Sequence, residues 1–598
     1  MKSTIVVLLV LSFSSFATAA TTSTDVLVYG ATPAGIAAAV SSADAGHQVL
    51  LVEPTSRVGG LLTNGLSNAD FRSFESLSGF FWDFSKRVES HYREKYGAES
   101  KQLKDCFRGT HGEPSVNLKV LEAMLVERPQ IRVVKQATLT SVQLSDFKGG
   151  HQRFVSATFT PDLQVKAKQF IDASYEGDLM AMAGENFHVG RESSGQYGEP
   201  MAGDGDGQAD GQVQGFNYRF IMTQVESNKL MPSAPDGYNR DDFVGVLPHF
   251  QSKTLTKVFS DGHDGIYRAH MPLLPNGKAD VNDTPKVPVR LSMPDINDAY
   301  PNGDAKLRAE IVRQHFYYNV GLLYFLQNDE AVPPEIQSDA RKWGFCKDEF
   351  VLTGGVPEQL YIREARRLVG QHVFTGQDTE QVTDDARSTW QTESIACGDY
   401  IHNCHGTGRK GTRFDGQHEG EFYKPVPPYQ IQYGVIVPTK TTNLLVPVAC
   451  SSSHFGFGAL RLEPIWSSLG QAAGEAAALA IETNADVQSV DVSQLQSRLQ
   501  ANRSATIYVS DVAPDSPDFA AVQWLGTQGG LHGLAGANQP KAKSLGGQYS
   551  KAHPGHSVEL GNDLDRGTYD RWSKRVSLPA FQTNLTRREA IEHAYQSN

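Results

Sequence analysis

Two short apolar runs separated by a tight glycine turn constrain the fold more than any other feature of the chain. Residues 25–29 predict a strand that ends at a Gly-Ala-Thr-Pro-Ala-Gly turn at positions 30–35. Residues 36–45 predict a helix of small side chains, and residues 49–52 predict a second strand, which ends at Glu53. A strand, a glycine turn, a helix and a strand within about 30 residues form the layout of a dinucleotide-binding βαβ unit. The chain is therefore predicted to be an α/β protein with a Rossmann-type sheet.

The glycine turn carries the residues that would face a dinucleotide. Gly30 allows the chain to turn sharply out of the strand, and Gly35 allows the helix to lie close to the sheet. The helix N-terminus offers free N–H groups to a pyrophosphate, although Thr32 replaces the middle glycine of the usual G-x-G-x-x-G pattern. Glu53 stands where a carboxylate accepts hydrogen bonds from both ribose hydroxyls, and a carboxylate there disfavours the 2′-phosphate of NADP.

A second glycine motif follows at a spacing that is typical of FAD-binding proteins. Five residues separate Glu53 from the pair Gly59-Gly60. Without a Cβ the chain can run flat beside the pyrophosphate and the ribityl chain of the flavin, so FAD is the predicted cofactor. The residues predicted to contact it are Gly30, Thr32, Pro33, Ala34, Gly35, Glu53, Arg57, Gly59, Gly60, Thr63, Ala137, Ala173 and Ser174.

The chain after this unit divides into segments of different character. A helix is predicted over 116–127 and strands over 131–134 and 168–173, with a small antiparallel crossover between the two strands. Residues 20–190 are therefore predicted to form the first part of an FAD-binding domain. Residues 191–437 are richer in Gly, Pro and Asp and mix short strand and helix signals, which indicates an inserted α+β substrate or cap domain.

The last third of the chain is predicted to complete the FAD-binding domain and then to change character. A buried strand over 444–448 and an Ala-rich helix over 467–481 assign 438–490 to the last part of that domain. Residues 491–598 are predicted to form a small, mostly helical C-terminal segment. This segment resembles a single surface-layer homology repeat, which implies contact with a cell surface; a helical cap on the main domain is the alternative.

The N-terminus and the overall charge indicate an exported protein. Lys2, an apolar run over 5–11 and the sequence Ala-Thr-Ala at 17–19 are typical of a cleavable signal peptide over 1–19. The apolar run is shorter than a membrane span, so a secreted or periplasmic protein with no membrane span is predicted. The net charge of −12 and the lack of a basic patch argue against nucleic acid as a partner.

The positions of the cysteines and histidines bear on two questions, whether the chain has a disulfide and whether it binds a metal. Five scattered cysteines exclude a disulfide-framework scaffold. One bridge within the pair Cys397 and Cys404, or from either to Cys346, is one interpretation, and buried thiols are the other. His402 and His405 flank Cys404 with some metal-ligand chemistry, but a fourth ligand at a convincing spacing is missing, so no metal is predicted.

Motifs in five regions, in order along the chain, resemble those of one flavoprotein family. They are the nucleotide turn (30–39), the Gly-Gly segment (53–66), a central strand with the loop beyond it (170–193), part of the inserted region (361–370) and a closing motif (451–474). On these motifs the chain is similar to the FAD-dependent oxidoreductases exported by bacteria, some of which are labelled xanthan lyase. The resemblance implies an FAD-dependent oxidoreductase and leaves the substrate undefined.

Two histidines are candidates for acid–base catalysis. His454, between the last strand and the last helix of the FAD-binding domain, is the first choice, with a purely structural hydrogen bond as the alternative. His405 is the second. Related chains carry an acid two residues before it, where this chain has Asn403, so no carboxylate raises its basicity. His402 is the candidate that could replace His405 in this role.

An arginine cluster over 361–370 is the predicted anion-binding element. Arg363 and Arg367 are predicted to share one helical face at the i,i+4 spacing. Arg363 is a candidate clamp for a carboxylate or for sugar hydroxyls, and a salt-bridged helix between two domains is the alternative. Arg461 and Glu463 are predicted to form an ion pair that shapes the closing loop.

These features support one leading functional hypothesis. The chain is predicted to be a secreted FAD-dependent oxidoreductase that transfers a hydride to the flavin from a polar, carbohydrate-derived alcohol or from an acid, with an unidentified electron acceptor. A fumarate-reductase-like ene reductase that uses an arginine as its acid is one alternative. A surface-associated polysaccharide-binding protein that retains the flavoprotein fold is another. Lyase activity is least supported, because a lyase has no need of FAD.

Overall fold

The computed structural model describes residues 20–535 and 552–597, and the predicted signal peptide lies outside the described residues. The strands are β1 (Ala20–Tyr29), β2 (Val49–Glu53), β3 (Ile131–Lys135), β4 (Leu139–Leu144), β5 (Phe154–Phe159), β6 (Leu163–Asp172), β7 (Phe187–His188), β8 (Phe220–Thr223), β9 (Lys229–Leu230), β10 (Lys257–Ser260), β11 (Gly265–Ala269), β12 (Lys278–Asp283), β13 (Gly344–Cys346), β14 (Arg367–Leu368), β15 (Ser394–Gly398), β16 (His402–Lys410), β17 (Gln417–Lys424), β18 (Tyr429–Gln432) and β19 (Leu444–Leu445). The helices are α1 (Pro33–Asp44), α2 (Gly79–Tyr96), α3 (Lys101–Asp105), α4 (Pro114–Val126), α5 (Asp178–Met182), α6 (Leu247–Gln251), α7 (Ala305–Asn328), α8 (Pro334–Arg341), α9 (His454–Leu460), α10 (Glu463–Glu482), α11 (Val492–Ala501), α12 (Phe519–Thr527), α13 (Arg566–Trp572) and α14 (Arg587–Gln596).

The first sheet has the parallel arrangement predicted from the glycine turn. Its strands lie in the order β3-β2-β1-β6-β5-β4, and β19 pairs with the other side of β6. β1 runs parallel to both β2 and β6, with Tyr29 opposite Val52 and Asp172. β4 and β5 run antiparallel and form the predicted crossover. The predicted α/β fold class is confirmed, and the carboxyl ends of the parallel strands meet at one edge of the sheet.

Helices α1 and α10 pack against each other through small residues. Nearly every residue of α1 is buried. A Cβ on Gly470 would lie 2.1 Å from the backbone oxygen of Ala34, and a Cβ on Gly474 would lie 2.4 Å from that of Ala38. Glycine at these positions therefore lets the two helices meet backbone to backbone. α10 begins four residues earlier than predicted, because a proline occupies its first turn.

The segment 191–437 contains a second sheet and the longest helix. Six strands lie in the order β10-β11-β12-β8-β13-β9. α7 contacts the segment that follows β12, where the Tyr318 hydroxyl donates to the backbone oxygen of Arg290 at 2.8 Å and the Asn319 amide donates to that of Leu291 at 2.8 Å. The expected α+β content is therefore present, whereas the domain boundaries remain predictions.

The C-terminal segment is helical in its described part. It contains α11, α12, α13 and α14, and no strand occurs between 491 and 535 or between 552 and 597. A small core of its own holds these helices together and includes Ile507, Val522, Leu525, Trp572 and Ile591. The predicted fold of this segment is confirmed, and its resemblance to a surface-layer repeat remains a prediction.

The cysteines are all buried and all unpaired. Cys106, Cys346, Cys397, Cys404 and Cys450 each carry a free thiol. The interpretation with a disulfide among Cys346, Cys397 and Cys404 is therefore wrong, and these thiols lie in the protein interior. Among residues 20–535 and 552–597, no helix combines the length and the apolar character that a membrane span requires.

The contact between α1 and α10 gives a stability prediction. Gly470→Ala is expected to destabilise the fold by about 1–3 kcal/mol, because the added methyl group overlaps the Ala34 backbone and forces the helices apart. Urea unfolding measures the change. Gly567→Ala in α13 is the control, since a Cβ there meets only side-chain ends, the Asp565 carboxylate at 3.2 Å and the Arg571 guanidinium at 3.9 Å. The higher helix propensity of alanine should stabilise this helix slightly. Equal stability of both variants would contradict the close packing.

Candidate active site

Three strands of the first sheet end around one cleft. Gly30 follows β1, Glu53 ends β2, and Ala173 and Ser174 follow β6. Gly30, Glu53 and Ser174 line a cavity of about 240 Å³. Since parallel strands place their carboxyl ends together, residues that are distant in sequence converge at this edge.

The Glu53 carboxylate is buried and held by backbone groups. The N–H of Ala31 donates to Oε2 at 2.7 Å, and the N–H of Thr55 donates to Oε1 at 2.9 Å. Burial raises the pKa of Glu53, while these hydrogen bonds oppose the rise. Ala137 lies beside it and donates its N–H to the Glu53 backbone oxygen at 3.0 Å. Oε1 also accepts a hydrogen bond from the Thr55 hydroxyl at 2.7 Å, whereas Oε2 keeps a further lone pair that can accept a hydrogen bond from a ligand.

Glycines bring the backbone to the surface of the cleft. Gly30 has a φ of +91°, and a Cβ there would lie 2.7 Å from the Ser174 nitrogen. Gly60 has a φ of +47°, and a Cβ there would lie 2.4 Å from the Tyr175 hydroxyl. A Cβ on Gly35 would lie 1.9 Å from the Gly30 oxygen. Any side chain at these positions would collide with backbone or fill the cleft.

Thr32 occupies the position of the middle glycine in the usual G-x-G-x-x-G pattern and has a structural role there. Its hydroxyl accepts a hydrogen bond from the Gly35 N–H at 3.1 Å and donates one to the Ala173 oxygen at 2.8 Å. The side chain therefore caps α1 and joins the start of the helix to the end of β6. Pro33 and Ala34 form the first turn of α1 behind it.

Arg57 and Thr63 shape the Gly-Gly loop from within. The Thr63 hydroxyl donates to the Val58 oxygen at 2.7 Å, and Nε of Arg57 donates to the Thr63 oxygen at 2.7 Å. The Arg57 guanidinium also lies 5.2 Å from the ring centre of Phe350. These contacts close the loop around Gly59.

Tyr175 and Glu463 connect the Gly-Gly loop to the start of α10. The Leu61 N–H donates to the Tyr175 hydroxyl at 2.9 Å, and this hydroxyl donates to Oε1 of Glu463 at 2.5 Å. Burial raises the pKa of Glu463 to about 8. The predicted ion pair between Arg461 and Glu463 is wrong, because Arg461 turns away and donates to the Asn403 oxygen at 2.9 Å.

His405 lies among four arginine side chains. It is partly exposed, whereas Arg219, Arg290, Arg363 and Arg461 are buried. Burial, followed by the positive charges of these arginines, holds the pKa of His405 well below its ordinary value. Its Nδ1 has no hydrogen-bond partner among the residues that the structure describes. The imidazole is therefore neutral near pH 7 and can accept a proton.

The loop after Gly60 brings the cleft and these arginines together. A Cβ on Gly65 would lie 1.9 Å from the Arg219 backbone oxygen. Arg461 stands two residues before Glu463, which is joined to the Gly-Gly loop through a tyrosine hydroxyl. The arginine cluster therefore adjoins the far end of the loop that begins at the cleft.

The segment 361–370 is extended, so the prediction of a helical face is wrong. β14 begins at Arg367 and pairs with β7. Arg367 forms an ion pair with Glu192 at 3.0 Å, whereas Arg363 donates to Oδ1 of Asn217 at 2.6 Å. Strand pairing within the fold overrides the local helix propensity of these residues.

His454 lies in a buried chain of hydrogen bonds. Its Nδ1 is 2.9 Å from Oε1 of Glu364, and its Nε2 is 3.7 Å from Sγ of Cys404. Burial alone would lower the pKa of His454, but Glu364 and Cys404 raise it to about 10. Both ring nitrogens have partners and the side chain is 1 % exposed. Nothing in the sequence pattern pointed to Glu364 and Cys404 as these partners.

The histidine–cysteine segment does not form a metal site. The ring of His402 lies between the Phe455 oxygen, at 2.9 Å, and the Thr379 hydroxyl, at 2.8 Å. Alternation along β16 places Cys404 on the same face as His402 and His405 on the opposite face. No group of three or more metal-binding side chains is present in the described parts of the chain.

The family of the chain follows from a match over most of its length. The profile of the FAD-dependent oxidoreductase family matches residues 25–499. The chain belongs to this family. Its cofactor is FAD, and it is an FAD-dependent oxidoreductase. A search of curated protein sequences found no match.

Solved flavoprotein structures resemble part of the chain. THI4 from Thermovibrio ammonificans shares 19% identity over 28% of this chain and 66% of its own, with a TM-score of 0.20. L-proline dehydrogenase from P. horikoshii shares 14% identity over 32% of this chain and 26% of its own, with a TM-score of 0.16. The 3-ketosteroid-delta4-(5alpha)-dehydrogenase from Rhodococcus jostii RHA1 shares 15% identity over 29% of this chain and 50% of its own, with a TM-score of 0.18. This chain thus spans less than two thirds of the length of each.

The cleft at the sheet edge has the features that FAD requires. Its glycine-lined wall admits the close approach of a pyrophosphate, and the start of α1 directs a positive helix end toward the cleft. Glu53 is the residue that would hold the ribose hydroxyls, and Gly60 is the one that would lie against the cofactor chain. These individual contacts remain predictions.

Two substitutions test the predicted FAD contacts. Glu53→Gln is expected to weaken FAD binding by about 10-fold to 100-fold, because a charged acceptor is lost at the ribose. Gly60→Val should abolish binding by filling the cleft. The ratio of flavin to protein absorbance and the dissociation constant of added FAD measure both effects.

Gly149→Val is the control for the added side-chain volume. It also replaces a glycine of positive φ, but no atom lies within 4 Å of the new Cβ. It should retain full flavin. If Gly60→Val also purifies with full flavin, the position predicted for the Gly-Gly loop is wrong.

Glu463 should make stability depend on pH. The carboxyl has its ordinary pKa of 4.5 when unfolded and a pKa of about 8 when folded, so wild-type stability should fall as the pH rises between these values. Glu463→Gln keeps an acceptor for Tyr175 and removes this loss, which amounts to about 1.4 kcal/mol for each unit of pKa shift. Its melting temperature relative to wild type should rise from pH 5 to pH 8.5.

The control on the same helix is Glu482→Gln. Glu482 pairs with Arg498 near the surface, and this pairing lowers its pKa, so the substitution should give no such rise. A pH-independent difference between Glu463→Gln and wild type would show that Glu463 is ionised in the folded protein.

Proposed function

We propose that this chain is an exported FAD-dependent dehydrogenase or oxidase that takes a hydride from a polar, carbohydrate-derived alcohol or from an acid. The observation that carries the proposal is His405, a neutral and partly exposed imidazole among buried guanidinium groups beside the Gly-Gly loop. Removal of a hydride from an alcohol requires a base that accepts the hydroxyl proton. FAD, when bound, supplies the acceptor for the hydride.

His405 fits the role of this base better than His454. A base must be unprotonated before the reaction, and burial, followed by the surrounding positive charges, keeps His405 in that form. His454 instead has a raised pKa and both of its nitrogens are engaged with Glu364 and Cys404. We therefore reverse the preference that the sequence suggested.

A second candidate function is supported by Arg363. An ene reductase needs a proton donor beside the double bond that it reduces, and an arginine can serve if its pKa is low enough. Burial, with repulsion from Arg461, lowers the pKa of Arg363 to about 10. In this alternative the neighbouring arginines hold an unsaturated acid, and reduced FAD supplies the hydride.

The cellular setting of this activity is also part of the proposal. The signal-peptide pattern over 1–19 supports secretion or a periplasmic location, with an electron acceptor or oxygen outside the cytoplasm. The helical segment after 491 supports contact with a cell surface. Polysaccharide binding without catalysis, and the lyase activity named in some relatives, have less support because neither requires a flavin.

The reaction class is tested by flavin colour. The oxidised enzyme is mixed anaerobically with sugars, uronic acids and hydroxy acids, and the reduced enzyme with unsaturated acids. Bleaching by a saturated compound supports the dehydrogenase or oxidase, and oxygen uptake then separates the two. Reoxidation by an unsaturated acid supports the ene reductase. No response to any compound in either direction contradicts both.

The choice of base is tested by two variants. His405→Ala is expected to keep FAD and to lower the rate of flavin reduction by about 10²–10⁴-fold, which is the usual effect of removing a positioned base. His454→Gln should keep the rate within a fewfold and lower stability, because it removes one of the two charged partners of the buried Glu364 and leaves only Arg367. Stopped-flow reduction and thermal unfolding measure the two effects. The reverse order of rates would restore His454 as the base.

A further inference from the structure

We propose that Arg363 and Arg461 form the binding site for a carboxylate group of the substrate. This inference names the substrate class and rests on the function proposed above. It follows from hydrogen bonding and charge around two buried guanidinium groups, and it does not depend on which compound carries the carboxylate.

The two guanidinium groups have only neutral oxygen partners. Arg363 donates to the Gly215 oxygen, to Oδ1 of Asn217 at 2.6 Å and to Oδ1 of Asn282 at 3.2 Å. Its Nε has no partner among the described residues although it is buried. Arg461 donates to the Asn403 oxygen at 2.9 Å. Within residues 20–535 and 552–597, neither arginine forms an ion pair.

The other two arginines of the cluster are neutralised by carboxylates. Arg219 donates to Asp280 at 2.5 and 2.7 Å. Arg290 donates to Asp283 at 2.6 and 2.8 Å and to Glu421 at 2.7 Å. These pairs satisfy the charge of their own members and leave Arg363 and Arg461 without a direct counterion.

One tyrosine holds the two free guanidinium groups together. The Arg363 guanidinium lies 4.3 Å from the ring centre of Tyr361, and Nη1 of Arg461 lies 3.5 Å from the Tyr361 hydroxyl. Asp70 attracts Arg461 over a longer range. Both Nη2 hydrogens of Arg363 are engaged, so its unpartnered Nε is a donor left for a carboxylate, whereas Nη1 and Nη2 of Arg461 each keep a free hydrogen.

Burial of an unpaired cation is costly, so an anionic ligand would relieve it. A buried charge is ordinarily paired, because its desolvation otherwise exceeds its interactions. A bound carboxylate would supply the missing negative charge between Arg363 and Arg461. It would also offset the positive field that keeps the pKa of His405 low. Binding of the acid would therefore strengthen His405 as a base at the moment when substrate is present.

The proposal is tested by calorimetric binding to the oxidised, FAD-loaded protein under anaerobic conditions. The probes are two matched pairs: D-glucuronate with D-glucose, and acetate with acetamide. At least one acid should bind about tenfold or more tightly than its neutral partner, the effect of one charge-assisted hydrogen bond or more. If neither acid is preferred, the proposal is overturned.

Variants locate the preference. Arg363→Gln and Arg461→Gln should each remove it, with flavin content and melting temperature confirming a folded protein. Arg413→Gln is the matched control, since Arg413 also lies over a tyrosine, 4.6 Å from the ring centre of Tyr318, and should leave the preference intact. If Arg363→Gln does not fold, Arg363→Lys is used in its place. Lysine keeps the charge but lacks the planar guanidinium, so this variant should lower the preference for the acid over its neutral partner.

Other results would overturn the proposal in distinct ways. A preference that survives in both glutamine variants would place the anion elsewhere. A preference lost equally in Arg413→Gln would indicate general charge rather than a site. If the variants shift the flavin potential of the ligand-free enzyme and leave the preference unchanged, the arginines act on the flavin instead. Because binding heat is the readout, the acid preference is scored even if no compound bleaches the flavin.

Discussion

The contact between α1 and α10 is the constraint on which the rest of the site depends. These helices are more than 400 residues apart in sequence, yet Gly470 and Gly474 let them meet backbone to backbone. This contact brings the start of α10 to the loop that follows the Gly-Gly pair, so Glu463 reaches Tyr175 and Arg461 reaches the arginine cluster. A wider separation of the two helices would move the cofactor cleft and the arginines apart.

Charge, rather than a catalytic carboxylate, sets the properties of His405. In a catalytic acid–histidine pair the carboxylate raises the pKa of the imidazole. Here Asn403 offers no such charge, and the four surrounding guanidinium groups act in the opposite direction. His454 shows the contrasting arrangement, since its carboxylate partner Glu364 raises its pKa. Burial lowers the pKa of both histidines, and they differ in protonation because of their charged neighbours.

The parts of the fold that depend on local sequence could be predicted, and those that depend on distant contacts could not. The glycine turn at 30–35 and the strands beside it were predicted because turn geometry and apolar runs are local signals. The extended conformation of Arg363 and Arg367 was missed because pairing between β14 and β7 decides it. The partners of Arg461 and Glu463 were also missed, since they lie 58 and 288 positions away in the sequence.

The link from Leu61 through Tyr175 to Glu463 has a consequence for how the protein is made. The Gly-Gly loop is held by a hydroxyl that is itself held by a residue at the start of α10, about 400 positions later in the chain. During synthesis, a nascent chain that has not yet reached α10 contains every predicted FAD contact but lacks this support. Stable cofactor capture is thereby coupled to completion of the fold, so the Gly-Gly loop receives its full support only after α10 has been made.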